Sequence, residues 1–266
     1  MVKENSIVLN GQPVYYRVEG KGLPVVLVHG FSEDGTVWEN QVAALKDKYQ
    51  FIIPDLPGSG QSPLNDAEWS MEYFADCIRL ILDQEKIETV SMIGHSMGGY
   101  ITLAFADAWP NRLQSFGLFH STAFADSEEK KTARRRGIEF IQQNGPAKFL
   151  EQSIPNLFSE ETKKHQSGMV RKILARYTNF IGQSLVNYYQ AMMVRPDRTH
   201  VLKNFPRPIL FILGKHDTAV PYEQGMQQCY MPGLSYIHTL EHSGHMGMWE
   251  EPVLSNNFTD AFLMHG

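Results

Sequence analysis

The sequence predicts an α/β fold built on a mainly parallel sheet and interrupted by a helical insertion. Three observations predict it. Short, wholly apolar runs recur along the chain, as strands buried on both faces of a parallel sheet read. Helical patterns separate those runs. The alternation then stops after Phe119 and resumes only at Pro208.

Taken in order, Ser6–Leu9 and Val14–Val18 read as strands joined at Asn10-Gly11, a dipeptide suited to a hairpin turn. Val25–Val28, Phe51–Ile53, Val90–Ile93, Phe116–Phe119, Ile209–Leu213 and Tyr236–Leu240 are the further strand candidates. Met71–Gln84 reads as a helix, because Phe74, Cys77, Ile78, Ile81 and Leu82 share one face at three- and four-residue spacing. Met97–Trp109 is a second helix, stopped by Pro110. The insertion contains helical segments over Glu128–Asn144, Ala147–Ser153, Glu160–Phe180 and Ile181–Val194. The expected organisation is a core of residues 1–121 and 201–266, carrying a lid over residues 122–200.

The chain has 266 residues, 42% of them hydrophobic, and a net charge of −5. Disorder is excluded by that apolar fraction. Mild acidity gives no basic stripe for nucleic acid. No apolar run reaches the roughly 20 residues that span a bilayer. Two cysteines, Cys77 and Cys229, argue against a disulfide scaffold, and no signal peptide is visible, so a cytoplasmic location is expected. The charge is uneven. Residues 126–200 hold 13 Lys+Arg against 8 Asp+Glu, a balance of +5, which leaves −10 for the remainder. Lys130, Lys131, Arg134, Arg135 and Arg136 cluster there, so an acidic partner or substrate docking on the lid is weighed against a plain solvated helix face.

The strongest local signal is Gly94-His95-Ser96-Met97-Gly98-Gly99, which follows an apolar run and opens a helix. In that setting Gly-x-Ser-x-Gly is a nucleophile elbow, and Ser96 is the candidate nucleophile. Such a serine requires a base, and the base an orienting carboxylate. His245, in the loop after the last strand with glycines nearby, is preferred over His242; His238 reads as structural, and His95, which flanks Ser96 in the elbow, should point elsewhere. Asp217, in the loop after Ile209–Leu213, is preferred over Asp126, because the preceding strand ends Phe119-His120-Ser121 with no carboxylate. Acyl transfer further needs donors for the developing oxyanion, and the backbone N–H groups of Met97 and Phe31 are the candidates. His29 should hold the Phe31 loop. Trp38 and Trp249 read as core. Lid aromatics and methionines such as Phe149, Tyr188 and Met192 should pack the lid, a few lining an acyl pocket. No metal or cofactor is expected.

Together, Val25–Phe31, the loop Asp55-Leu56-Pro57-Gly58-Ser59-Gly60-Gln61-Ser62, Gly94–Gly99, Gly214–Asp217 and Gly244–His245 with Glu250–Pro252 resemble the α/β-hydrolase superfamily over nearly the whole chain. The resemblance implies an eight-stranded, mostly parallel sheet, a lid after the sixth strand and a cofactor-free Ser-His-Asp site beneath it. Serine at position 96 sets aside the members with an elbow aspartate, such as haloalkane dehalogenases and epoxide hydrolases. The short Gly30-Phe31-Ser32 loop sets aside the carbon–carbon bond hydrolases of ring-cleavage pathways, which usually carry a longer glycine-rich loop. What remains is similar to small carboxylesterases, menaquinone-pathway lyases and biotin-pathway carrier-protein methyl esterases. The expected activity is therefore hydrolysis of a carboxylic ester or thioester of a small-molecule acyl substrate. A triad-dependent lyase and a non-catalytic ligand receptor are the alternatives.

Overall fold

The computed structural model describes residues 2–265. Asn10 and Gly11 both adopt positive φ, 51° and 76°, the backbone whose twist matches paired strands. They join β1 (Val2–Leu9) to β2 (Gln12–Gly20), with Leu9 opposite Gln12. Along β2 the side chains of Val14, Tyr16 and Val18 alternate into the core. The remaining strands are β3 (Leu23–Val28), β4 (Tyr49–Pro54), β5 (Val90–His95), β6 (Leu113–Phe119), β7 (Ile209–Gly214) and β8 (Ser235–Leu240). They form one eight-stranded sheet in the order β1-β2-β4-β3-β5-β6-β7-β8. The β1/β2 and β2/β4 pairs are antiparallel and the rest are parallel.

Helices cover both faces, which is why β5 and β7 are buried at every residue. They are α1 (Glu39–Leu45), α2 (Met71–Gln84) and α3 (Met97–Ala108) in the first half of the chain. Helix α2 has the bounds its periodicity predicts. Ser70 caps it by accepting the Tyr73 N–H at 3.1 Å. Its Phe74, Cys77, Ile78, Ile81 and Leu82 are all buried, each large apolar side chain contributing roughly 1.5–3 kcal/mol on leaving water.

Between β6 and β7 the chain is helical, with α4 (Glu128–Asn144), α5 (Pro146–Ser153), α6 (Glu160–His165), α7 (Ser167–Tyr177), α8 (Gly182–Val194) and α9 (Thr199–Asn204). One difference from expectation lies here. The single helix predicted over Glu160–Phe180 is two, α6 and α7, separated at Gln166, whose φ and ψ are −128° and 35°. Ser167 and Gly168 follow the break, and both are poor residues for a helix interior. Helix α9 also straddles residue 200, the expected point of return to the core. The chain ends with α10 (Tyr222–Cys229), α11 (Gly247–Glu250) and α12 (Pro252–His265). Among the described residues, no helix is long and apolar enough to cross a membrane.

Because β3, β5, β6, β7 and β8 are parallel neighbours, the loops leaving their carboxyl ends open on one edge of the sheet, where such sheets place ligands. Those loops carry Phe31, Ser96, His120, Asp217 and His245.

Candidate active site

Ser96 links β5 to α3 with φ 52° and ψ −115°, a backbone that L side chains adopt only under strain. The turn is tight enough that a Cβ on Gly94 would strike the Gly98 carbonyl, and one on Gly98 would strike the Val28 carbonyl. The Ser96 N–H donates to the Phe119 carbonyl at 2.9 Å, and its own carbonyl accepts the Ser121 hydroxyl at 2.7 Å. These bonds hold the strained residue from both sides. Met97 is the first residue of α3, so its N–H has no partner within the helix.

Asp217 and His245 meet directly, with Nδ1 of the imidazole 2.7 Å from Oδ2 of the carboxylate. Oδ1 accepts the Ala219 and Val220 N–H groups at 2.8 and 2.9 Å. The carboxylate is buried, and burial alone would raise its pKa. The His245 and His120 imidazoles outweigh that, holding it far below the ordinary carboxylate range. Of the rivals, Asp126 is held by Arg134 at 2.6 Å and Arg195 at 2.8 Å. His242 is exposed and pairs with Glu161. His238 lies in β8, stacked on Phe258 at 4.1 Å.

A second imidazole shares Asp217. Nδ1 of His120 is 3.3 Å from the same Oδ2, and its Nε2 receives the Gly247 N–H at 3.2 Å. The Gly214 N–H also approaches Nδ1, at 3.0 Å. Each ring nitrogen faces a backbone N–H and Nδ1 also borders the carboxylate, so either neutral tautomer sets its N–H against one backbone donor. Burial pushes the His120 pKa down to about 4, so the ring is neutral at pH 7. Ligand atoms of His120, Asp217 and His245 lie within 4.8 Å of one another. A metal there would have to displace the 2.7 Å His245–Asp217 bond, so the set suits an orienting chain better than a cation.

His95, expected only to point away from Ser96, has a specific set of partners. Its Nδ1–H donates to Glu33 Oε2 and its Nε2–H to the His245 carbonyl, both at 2.9 Å. Glu33 Oε2 also accepts the Gly30 N–H at 2.7 Å. Both ring partners are acceptors, which requires an imidazolium beside a carboxylate. Burial opposes both charges, yet Glu33 raises the His95 pKa and His95 lowers that of Glu33. This buried pair ties the Phe31 loop to the backbone of His245. A comparable staple is Glu250, whose carboxylate accepts the N–H groups of Gly244, Met246 and Ser159. Gly244 does not lend His245 the freedom expected of a glycine. It instead makes room, since a Cβ there would meet the Leu157 carbonyl at 2.7 Å. His29 holds its own loop, donating to the Gly30 carbonyl and accepting the Leu56 N–H.

The Glu33–His95 pair gives a pH-dependent expectation. A raised histidine pKa stabilises the fold fully below its unfolded value of about 6.5, and the gain is lost as pH rises through the folded value. A lowered glutamate pKa stabilises above about 4.3 and is lost as pH falls. Melting temperatures of the wild type and of His95→Gln/Glu33→Gln should therefore differ most between roughly pH 4.5 and 6.5 and converge on the alkaline side. Parallel curves from about pH 4 to 9 would remove the charged pair. Breaking it with His95→Gln alone strands a buried carboxylate, at a cost of about 3–5 kcal/mol.

Ser96 and His245 line one cavity of about 370 Å³, with Phe31, Tyr100, Tyr189 and Met192 among its walls. Phe31 stacks on Tyr189 at 4.3 Å and meets Phe149 edge-on at 6.3 Å. These contacts fix the Phe31 loop against the helices between β6 and β7. A larger groove of about 790 Å³ lies beyond Asp217, but neither Ser96 nor His245 reaches it. Trp38 and Trp249 are buried in the core.

Residues 24–252 match the family model described as the alpha/beta hydrolase fold. A thermophilic esterase from Thermogutta terrifontis, solved with malate bound, superposes with a TM-score of 0.92 at 29% identity, covering 98% of each chain. The enol-lactonase from Burkholderia xenovorans LB400 superposes at 0.90 with 21% identity over 98% of this chain and 100% of that one. A 2-hydroxy-6-oxononadienedioate/2-hydroxy-6-oxononatrienedioate hydrolase of Burkholderia vietnamiensis is 27% identical over 94% of this chain and 90% of its own. The short Gly30-Phe31-Ser32 loop therefore does not set this chain apart from a hydrolase of that name.

Proposed function

The chain belongs to the alpha/beta hydrolase fold family, and from that premise we propose that it is a serine hydrolase of carboxylic esters or thioesters. One observation carries the reading. Ser96, on a strained elbow, shares a cavity with His245, whose far ring nitrogen is engaged by Asp217. Ser96 Oγ attacks the acyl carbon as its proton passes to His245 Nε2. Asp217 holds the ring in the tautomer that leaves Nε2 free and stabilises the imidazolium. The N–H groups of Met97 and Phe31 stabilise the oxyanion. The imidazolium then protonates the leaving alcohol or thiol. Water, deprotonated by His245, releases the acid and restores Ser96.

The 29% identity with the Thermogutta esterase supports ester chemistry over the lyase and receptor readings. The segment 122–200 acts as the lid, closing the cavity through Tyr189 and Met192. Buried free thiols at Cys77 and Cys229 fit a reducing, cytoplasmic setting. The basic cluster considered for an acidic partner divides. Arg135 and Arg136 are exposed, whereas Arg134 turns inward onto Asp126.

The test is turnover of p-nitrophenyl esters from acetate to octanoate, with mass spectrometry after fluorophosphonate treatment. The expected outcome is measurable hydrolysis and a single adduct on Ser96. No turnover across esters and thioesters would end the proposal.

A further inference from the structure

The basic charge of the lid reaches the reacting centre. Lys130 and Arg134, one turn apart on α4, both line the cavity that holds Ser96 and His245. Lys130 Nζ donates one proton to the Ala219 carbonyl at 2.7 Å, leaving two for another acceptor. Arg195 lies close by, its guanidinium 3.8 Å from the centre of the Tyr100 ring, and Tyr100 is also a cavity wall. The counter-charge is Asp126, whose buried carboxylate is shared by Arg134 and Arg195. Arg134 and Arg195 share that one carboxylate and Lys130 is held by a carbonyl, so this end of the cavity carries a positive surplus, while the Asp217 carboxylate behind His245 supplies negative charge at the other end. On the opposite wall Glu33 and His95 cancel each other.

Surplus charge is expensive beside apolar walls such as Phe31, Leu157 and Val220, because the low-dielectric surroundings return little of the lost hydration. A bound anion removes that cost. Tyr100 reports the same field: burial would raise its phenol, yet these cations draw it below the ordinary range. The surplus also accounts for Asp126, which serves the arginines and not His245.

We propose that the Lys130–Arg134 end of the cavity is a subsite for a free carboxylate on the substrate, so that the enzyme acts on esters that are also acids, hemi-esters of dicarboxylic acids being the simplest. This rests on the serine-hydrolase reading and narrows it. The positive end of the cavity selects the charged substrate and aims its ester bond at Ser96.

Binding and turnover are tested separately, so that each reading fails by itself. In Ser96→Ala protein at low salt, the monomethyl esters of succinate, adipate and suberate are titrated beside the corresponding dimethyl esters. They match in length and differ in one charge. At the best-fitting length the monoester should bind about 10- to 100-fold more tightly, the range expected for hydrogen bonds to a charged group. Adding Lys130→Met, which keeps the aliphatic stem, should bring the ratio towards one. Diesters binding as tightly as monoesters at every length would overturn the subsite, as would an undiminished ratio in Lys130→Met. If that variant does not fold, the ester comparison in Ser96→Ala decides alone. Monoesters that bind while wild-type enzyme cleaves neither them nor any p-nitrophenyl ester or thioester would refute the hydrolase reading and leave the subsite standing.

Discussion

Ser96→Ala should lower kcat for ester hydrolysis by about 10⁴- to 10⁶-fold while leaving the melting temperature within about 2 °C. The two effects separate because the proposed mechanism uses the Ser96 hydroxyl for chemistry, and no bond that holds the fold depends on it. The bonds that hold residue 96 are those of its backbone, to Phe119 and to the Ser121 hydroxyl, and alanine keeps both. Ser96→Gly extends the argument. At φ 52° and ψ −115° a side-chain-bearing residue stores about 1–3 kcal/mol of strain. Glycine relieves it but gains about 0.4–1 kcal/mol of freedom in the unfolded chain. The glycine variant should therefore be equally inactive yet melt about 2–4 °C higher. Retention of more than about 1% of kcat by Ser96→Ala would exclude Ser96 as the nucleophile.

How much of this is legible in the sequence depends on whether a feature is written locally. Helices α2 and α4 match their predicted bounds because their starts are marked by Ser70 and Ser127, and the end of α4 by Gly145. The Glu160–Phe180 segment misleads because residues 159–168 hold no apolar residue that would set a helical face, while Ser167 and Gly168 favour an interruption. Fold class follows from the order of strands and helices, which the eight-stranded sheet shows.

The candidate site divides in the same way. Ser96 sits in a pattern five residues long, and Asp217 and His245 stand just beyond strand ends, so each can be named from its neighbours in the chain. Glu33 lies 62 residues from His95 and becomes meaningful only when β3 and β5 pair. Nothing local marks it as a buried ion-pair partner. His120 is visible as the residue at the tip of β6, but only as the absence of a carboxylate. Its contact with Asp217 comes from the β6–β7 pairing, which no short window contains. Lys130 and Arg134 read as surface charge, because a charge balance does not tell which face of α4 turns inward.

Asp217→Asn should cost about 10⁴-fold in kcat, near 5.5 kcal/mol of barrier, and the structure shows why the substitution cannot adapt. The amide that replaces the carboxylate must place its oxygen on one side and its NH₂ on the other. The Ala219 and Val220 N–H groups, at 2.8 and 2.9 Å from Oδ1, demand an acceptor on that side. The amide NH₂ is thereby driven to the Oδ2 position, facing Nδ1 of both His245 and His120. A donor there forces the His245 proton onto Nε2, the nitrogen that must accept from Ser96. Flipping the amide would strand two backbone N–H groups at about 1–3 kcal/mol each, so the inactive tautomer is the more stable one. Single-turnover rates with a p-nitrophenyl ester measure the loss of the acylation step directly. A loss below about tenfold would mean that Asp217 does not orient the base.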